Sequence, residues 1–542
     1  MRGGGNLTTL LLGLFAALAL AVPSASQARP ADVGRDGRPN ILVVMTDDMT
    51  QSDLPFMPKT RKLLAKQGTS FTNTITSFPL CCPSRSTFLT GQYAHNHGVT
   101  GNFYPEGWYG MQGRKNTLAT WLDRAGYRTG LIGKWLNGYG ALDGHGEIPP
   151  GFDDWHGLLD VSAYDYYNFE MNSNERLLAW GDPGFARKLV GFANVEVTPP
   201  DSKSAADVLA QLRKVMGPPP YTYWGAQNPD QYSPDVTGRF TQRLIGKGKH
   251  SRKPFFIWWA PASPHREDVS TTLMGRPGPD PRPPERYEQL SQSFQLPRPP
   301  SFNEADVSDK PTVVTSKTPP LTDEEIAQLQ LDYEGRGGSM RAVDDWVGRI
   351  VKTLRRTRQL GNTVILFTSD NGWLNGQHRI PGDKFLPYEE SLRVPLIIRG
   401  PGFGRGKKIK QQVANIDMAP TLAAVARAKP RRRMDGISLP PALRGHQRVP
   451  KRALEIEAPR PLFTGAIPNN AWDRPYVGVR TQRYTFVLWT ETGEEELYDR
   501  RTDPFQLQNV AHDPAYAGIR ARLIARMQRL ATCRGRSCDV KP

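Results

Sequence analysis

Cysteine is scarce in this chain, with four in 542 residues. That is too few for a small domain stapled by many bridges. Two of the four, Cys81 and Cys82, are adjacent, and neighbouring cysteines rarely pair for geometric reasons. They need another explanation. Cys533 and Cys538 lie in the run CRGRSC. In an exported protein they are expected to close a small disulfide loop, with two free thiols as the alternative. Long apolar runs are also lacking. The one at Leu7–Val22 is rich in Ala and Leu and falls short of the roughly 20 residues that a bilayer span needs. Arg2 is the only charge before Arg29, and Pro23, Ser26 and Ala28 follow the run. This is the pattern of a secretory signal peptide, residues 1–28, cleaved near Ala28, with a membrane anchor as the alternative. The mature protein is expected to be secreted and extracellular, with no membrane span.

Acid is in deficit. Lys and Arg number 70 against 53 Asp and Glu, a formal net charge of +17, and losing Arg2 with the leader lowers it by one. Such a balance favours acidic partners, nucleic acid and sulfated glycans among them. Much of it lies in solvated runs such as Lys429-Pro430-Arg431-Arg432-Arg433, and no nucleic-acid motif accompanies it, so no nucleic-acid partner is expected. Beyond Asn6 there is no Asn-x-Ser/Thr site. Internal repeats are absent too, which excludes a solenoid.

What is present is a globular composition, 38% hydrophobic and 23% charged, with 51 glycines and 48 prolines that predict many ordered loops. Short apolar runs at 41–45, 129–132, 255–260, 364–368 and 394–398 read as buried strands bounded by Gly, Pro or Asp. Helical patterns lie between them. Leu118, Trp121 and Leu122 share one face, Thr322 with Glu325 forms a capping box, and Met340, Val343, Val347, Ile350 and Leu354 line a later helix. The fold class is therefore α/β: a large mixed, mostly parallel sheet sandwiched by helices over 39–440. From 441 to 542 the pattern changes. Strands at 476–480, 484–489 and 495–498, and a last helix carrying Ile519, Leu523, Met527 and Leu530, predict a smaller C-terminal α+β subdomain of antiparallel sheet plus helix. Two stretches, about 196–240 and 268–320, lack apolar periodicity and read as long loops of the kind that wall pockets.

Reactive groups collect at the carboxyl ends of strands in α/β sheets. The first strand ends in Thr46-Asp47-Asp48 and the fourth in Ser369-Asp370-Asn371. Three carboxylates and an amide are hard oxygen donors suited to Ca2+ or Mg2+. Turn or helix capping by Asp47 and Asp370 is the other reading. Downstream lies Leu80-Cys81-Cys82-Pro83-Ser84-Arg85, in which a Cys stands two residues before Pro-Ser-Arg.

That run resembles the signature of the sulfatase family, in which such a Cys is oxidised to formylglycine (3-oxoalanine) by a formylglycine-generating enzyme. CCPSRSTFLTGQYAHNHGV, GKWLNGYG, TSDNGWLNGQHR, DKFLPYEESLRVPLIIRGPG, IDMAPTLAAVA and ELYDRRTDPFQLQNV resemble it in family order, closest to its N-acetylglucosamine-6-sulfatase and heparan-sulfatase branch. The resemblance implies an alkaline-phosphatase-like fold and hydrolysis of sulfate monoesters, of a sulfated sugar such as glucosamine 6-sulfate or of aryl sulfates. It implies that Asp47, Asp48, Asp370 and Asn371 hold Ca2+ together with the formylglycine from Cys81, and that Arg85 orients the formylglycine hydrate. Lys134 and Lys384 match lysines that clamp the sulfate oxygens, and His265 matches a histidine near the leaving group. Where many members have His after Gly-Lys-Trp, this chain has Leu136; His95 or His97 is a candidate substitute.

The chemistry fits these residue types. A sulfate monoester is a poor electrophile guarded by negative oxygens, so positive charge must neutralise them. An aldehyde hydrate attacks with one hydroxyl and uses the second to expel sulfate afterwards, which a serine cannot do. Sugar alcohols leave poorly, so an acid such as His265 matters most for glycans. Each residue has a plainer reading: solvated lysines at 134 and 384, a surface His265, and a structural His95-Asn96-His97 rather than zinc ligands. Two other functions stand beside the first. One is hydrolysis of phosphate or phosphonate esters on the same fold; the other is a catalytically inactive exported glycan-binding protein.

Overall fold

The computed structural model describes residues 37–102, 106–140, 146–160, 162–181, 229–267, 278–316, 318–439, 449–459 and 474–542. The predicted leader, most of the 196–240 stretch and the first part of the 268–320 loop lie outside them.

The strands in chain order are β1 (Asn40–Thr46), β2 (Thr69–Phe71), β3 (Thr74–Ile75), β4 (Arg128–Lys134), β5 (Asp154–Leu158), β6 (Phe169–Ser173), β7 (Arg176–Trp180) and β8 (Phe255–Ala260). They continue with β9 (Thr363–Ser369), β10 (Leu396–Arg399), β11 (Lys407–Ile409), β12 (Val413–Ala414), β13 (Leu454–Ala458), β14 (Tyr476–Arg480), β15 (Tyr484–Trp489) and β16 (Glu495–Asp499). The main sheet has ten strands in the order β11-β2-β10-β9-β1-β8-β4-β5-β6-β7. Its centre, β9-β1-β8-β4-β5, is parallel, while β10 and β6 join it antiparallel. The sequence-predicted strand at 394–398 starts two residues later, at Leu396, and runs against β9.

The central strands β1, β8 and β9 each carry an unbroken apolar run because both of their faces are covered. Alternation along β1 sends Ile41, Val43 and Met45 into one core with Phe256, Trp258, Val364 and Leu366. Leu42 and Val44 enter the other, with Ile257, Trp259, Ile365 and Phe367. The 34-residue helix Asp323–Arg356, about 50 Å long, closes the second face. Thr322 caps it by accepting from the Glu325 backbone N–H, as the capping box predicts. The first face is covered by the helices Cys81–Thr90, Leu118–Arg124 and Met418–Ala426, whose Phe88, Trp121 and Leu422 lie in that core.

The C-terminal sheet, β13-β14-β15-β16, is antiparallel throughout. Leu523, Met527 and Leu530 of the last helix, Ala517–Leu530, pack into its core with Ile456, Val479 and Phe486. β13 is an additional strand, unmarked by the sequence pattern. Cys533 and Cys538 form a disulfide.

Candidate active site

Register explains why the candidate residues converge. Thr46 pairs with Ser369, and Ala260 with Gly133, so β1, β9, β8 and β4 end at one edge. The residues that follow are Asp47-Asp48, Asp370-Asn371 and the turn carrying His265; Lys134 is the last residue of β4. Backbone bonds fasten these ends: Asp47 N–H donates to Ser263 O at 3.0 Å and Asp370 N–H to Thr46 O at 3.2 Å. Asp48 takes left-handed backbone (φ 64°), sparsely used outside Gly, Asn and Asp, and its N–H donates to Asp370 Oδ1 at 3.2 Å.

Cys81 is the first residue of its helix, at the end where backbone N–H groups favour negative charge. Its Sγ lies 3.6 Å from Asp47 Oδ1 and 3.0 Å from Lys384 Nζ. Four residues on, Arg85 occupies the same helix face. Its Nε donates to Asp370 Oδ2 at 2.8 Å and its Nη1 to Lys134 O at 2.9 Å, while Nη2 lies 3.7 Å from Asp47 Oδ2. Cys82 points away from this group, into the apolar core.

The two lysines meet carboxylates. Lys134 Nζ is 2.5 Å from Asp47 Oδ2, and Lys384 Nζ is 2.6 Å from Asp48 Oδ1. His265 Nδ1 donates to Arg266 O at 2.7 Å, which turns Nε2 towards Asp48 Oδ2, 3.5 Å away. Burial alone would raise the Asp47 carboxyl, but Lys134, then His265 and Arg85, outweigh it and hold it at about 2. Asp48 is lowered in the same way, with Lys384 the main cation opposing its burial. Burial pushes the Cys81 thiol up to about 12, against the pull of the two lysines. Lys134 and Lys384 stay charged because their carboxylates outweigh their desolvation.

The donor set fits a hard divalent cation. Asp48 Oδ2 and Asn371 Oδ1 are buried without a hydrogen-bond partner, a costly state for a carboxylate or amide oxygen. Ligand atoms of Asp47, Asp48, Cys81 and His265 lie within 4.8 Å of one another. Asp370 Oδ2 is already bonded to Arg85, and its Oδ1 accepts from the Asn371 and Asp48 backbones.

Leu136, at the position where histidine is common in the resembling family, is buried in the apolar core. His95 and His97 do not stand in for it. His97 is buried, with Nε2 at 3.0 Å from Thr87 Oγ1 and Nδ1 accepting from Val99 N–H. His95 binds Glu457 and the Cys533 carbonyl.

Two residues without a sequence signal support the site. Arg336, on the long helix, donates through Nη2 to the Asp48 carbonyl at 2.7 Å and to Asp53 Oδ2 at 2.8 Å. Tyr164 packs its ring against His265 at a tilt of 31°, centroids 4.2 Å apart, and its centroid lies 4.6 Å from Lys134 Nζ. Its hydroxyl accepts from Asn137 Nδ2 at 2.6 Å.

Residues 39–428 match the family model described as Sulfatase, and 376–533 match that described as N-sulphoglucosamine sulphohydrolase, C-terminal. The human N-acetylglucosamine-6-sulfatase is 29% identical over 537 residues, 92% of this chain and 86% of that protein. An extracellular sulfatase SULF-1 homolog of Drosophila melanogaster is 31% identical over 427 residues, 78% of this chain and 33% of that one. A solved structure of a protein in complex with its substrate, D-glucosamine-2-N,6-O-disulfate, superposes with a TM-score of 0.67 at 22% identity. The superposition covers 91% of this chain and 97% of the other.

Proposed function

The chain belongs to the sulfatase family, and from that premise we propose that it cleaves sulfate monoesters of a sulfated sugar, glucosamine 6-sulfate in type, with a nucleophile made from Cys81 and a bound Ca2+. One observation carries the reading. Cys81 is buried at a helix N-terminus among Asp47, Lys134 and Lys384, beside Asp48 and Asn371 oxygens that lack hydrogen-bond partners.

Oxidised to formylglycine, residue 81 would supply an oxygen nucleophile; a cation held by Asp47, Asp48, Asp370 and Asn371 would supply positive charge beside it. Three carboxylates here are matched by three fixed cations, Arg85, Lys134 and Lys384, so the added divalent charge makes the site cationic and suited to an anionic ester. Arg85 fixes Asp370 and keeps an Nη2 N–H without a hydrogen-bond partner. Lys134 and Lys384, which border the Cys81 thiol and pair with Asp47 and Asp48, would clamp the sulfate oxygens. His265 Nε2 faces the same space and, in the form that carries a proton on Nε2 as well as on Nδ1, would pass that proton to the departing alcohol. The Cys533–Cys538 disulfide and the extracellular relative support export.

The test is peptide mass spectrometry across Cys81 in protein made with a formylglycine-generating enzyme, followed by kinetics on sulfate and phosphate esters side by side. A loss of about 18 Da at Cys81 with preference for sulfate supports the reading; full activity with an intact Cys81 thiol overturns it. Chelation by EGTA should abolish turnover, and Ca2+ should restore it.

A further inference from the structure

Three features stand outside that chemistry: the basic run Lys429–Arg433, the disulfide loop Cys533–Cys538, and the net charge of +17. The fold brings the first two together. Arg432 donates through Nη1 to Gln92 Oε1 at 2.7 Å and through Nη2 to Gln112 O and Gly113 O at 2.7 and 2.9 Å. Asn116 Nδ2 donates to Arg431 O at 2.9 Å. The Arg433 stem crosses Gly535 so closely that a Cβ there would meet it at 2.5 Å. Gly535 N–H donates to Asp435 Oδ1 at 2.6 Å, and Asn96 Nδ2 to Cys533 O at 2.8 Å. Two arginine-bearing segments a hundred residues apart are thus pinned side by side.

Lys115, Lys429, Arg431, Arg433, Arg534 and Arg536 are exposed there, and none of them makes an ion pair among the described residues. Like charges gathered on one face repel one another, and solvent and salt only screen the repulsion. A polyanion removes it and releases its own counterions. Because the disulfide and the backbone bonds already order the two segments, binding here loses little conformational entropy.

We propose that this strip is an exosite for a sulfated glycan chain, holding the enzyme on the polymer whose sulfate esters it cleaves; the glycan identity rests on the function proposed above. A bilayer fits less well, since the exposed large apolar residues among the described ones, Leu290, Leu331 and Phe505, do not belong to the strip. Single-stranded nucleic acid fits less well too, since Trp108, the aromatic under Arg114, is buried and offers no stacking face. Asp435 and Gly436 N–H groups bond Gly91 O at the far end of the helix that starts at Cys81. The backbone that carries the strip is thus anchored at the opposite end of a ten-residue helix, about 15 Å long, from Cys81.

The experiment measures binding to immobilised heparin against salt for three mature proteins. These are the wild type, a Lys429→Ser/Arg431→Ser/Arg534→Ser/Arg536→Ser variant, and a charge-keeping Arg431→Lys/Arg534→Lys/Arg536→Lys variant. The expected result is an affinity about tenfold or more lower for the serine variant, with a log-affinity against log-salt slope shallower by about 3. The lysine variant keeps most of the binding, and all three hydrolyse a small aryl sulfate alike. Unchanged heparin binding in the serine variant overturns the exosite, as does equal loss in both variants. Tighter wild-type binding to oligonucleotides or anionic vesicles than to heparin overturns the glycan assignment. Binding is read without turnover, so a protein that binds through these residues but cleaves no sulfate ester breaks the proposed function and not the exosite.

Discussion

Arg85 Nε donates to Asp370 Oδ2 at 2.8 Å, joining a helix on one face of the sheet to the end of a central strand. Both side chains are fully buried. The same guanidinium reaches Asp47 Oδ2 at 3.7 Å, so a single cation spans the ends of β1 and β9. Its charge is strongly favoured despite burial, because Asp370 and Asp47 outweigh the desolvation.

Arg85→Ala therefore removes more than an orienting group. It leaves two buried carboxylates with one partner fewer, a change that costs about 3–5 kcal/mol when a buried pair is broken. Urea melts in EGTA should show that loss. Added Ca2+ should recover part of it, because a divalent cation repels less than it relieves among Asp47, Asp48 and Asp370. An unchanged midpoint in EGTA would mean that the Arg85 pairs contribute nothing to the fold.

The adjacent cysteines should separate cleanly. Cys81→Ala is expected to abolish turnover while leaving the melting temperature within a few degrees of wild type. Cys82→Ala should keep substantial activity and cost about 1 kcal/mol, the effect of a small cavity in the core around Phe88 and Trp108. Activity assays with thermal melts on both variants decide it; equal full activity in both would remove Cys81 from the mechanism.

How far the sequence reaches is clearest in the strands. β1, β8 and β9 are legible because strands buried on both faces carry unbroken apolar runs. β13 escapes the same reading because it alternates Leu454, Ile456 and Ala458 with Glu455 and Glu457, an acidic pattern that looks solvated. Both glutamates are buried, and Glu457 accepts from the backbone N–H groups of Ala94 and His95. The site divides likewise. Asp47, Asp48, Cys81, Arg85, Asp370 and Asn371 stand in short contiguous runs whose spacing reads directly. Arg336 and Tyr164 reach the site by tertiary packing alone, and nothing beside them in the chain announces it. That Lys134 rests on Asp47 is a product of strand register, whereas Lys384 reaches Asp48 from a loop, next to the isolated bridge between Leu374 and Asp383.

His95 supplies a pH test at the seam between the two sheets. It lies 3.1 Å from Glu457 Oε2 and 3.3 Å from Glu455 Oε2, and Cys533 O accepts from its other nitrogen. Burial alone would lower its pKa, but the hydrogen bond and charge of Glu457, then Glu455, raise it to about 10. The folded value exceeds the unfolded value of about 6.5. The stabilisation is therefore fully present below pH 6.5 and is lost as pH rises through 10. His95→Gln should melt well below wild type at pH 6 and close to it at pH 10.5. A gap of the same size at both pH values would show that the imidazole is neutral in the fold.

Glycines of the long helix Asp323–Arg356 give a prediction in which sign is the readout. In a helix interior Ala is intrinsically favoured over Gly by about 1 kcal/mol, so any Gly→Ala change that meets open space should stabilise. At Gly348 a Cβ would meet only the flexible Lys59 stem, at 3.1 Å, which can swing aside. At Gly335 it would stand 2.0 Å from the Pro281 carbonyl oxygen, and backbone must move. Gly335 precedes Arg336, whose guanidinium holds the Asp48 carbonyl. Separating helix and loop here should therefore disturb the strand end that carries the candidate metal ligands. Gly348→Ala should raise the melting temperature slightly and leave kcat unchanged. Gly335→Ala should lower the melting temperature, by about 1–3 kcal/mol in stability, and weaken Ca2+ affinity with it. Stabilisation by both changes would mean that the 279–283 segment yields freely, and that the close approach at Gly335 has no part in shaping the site.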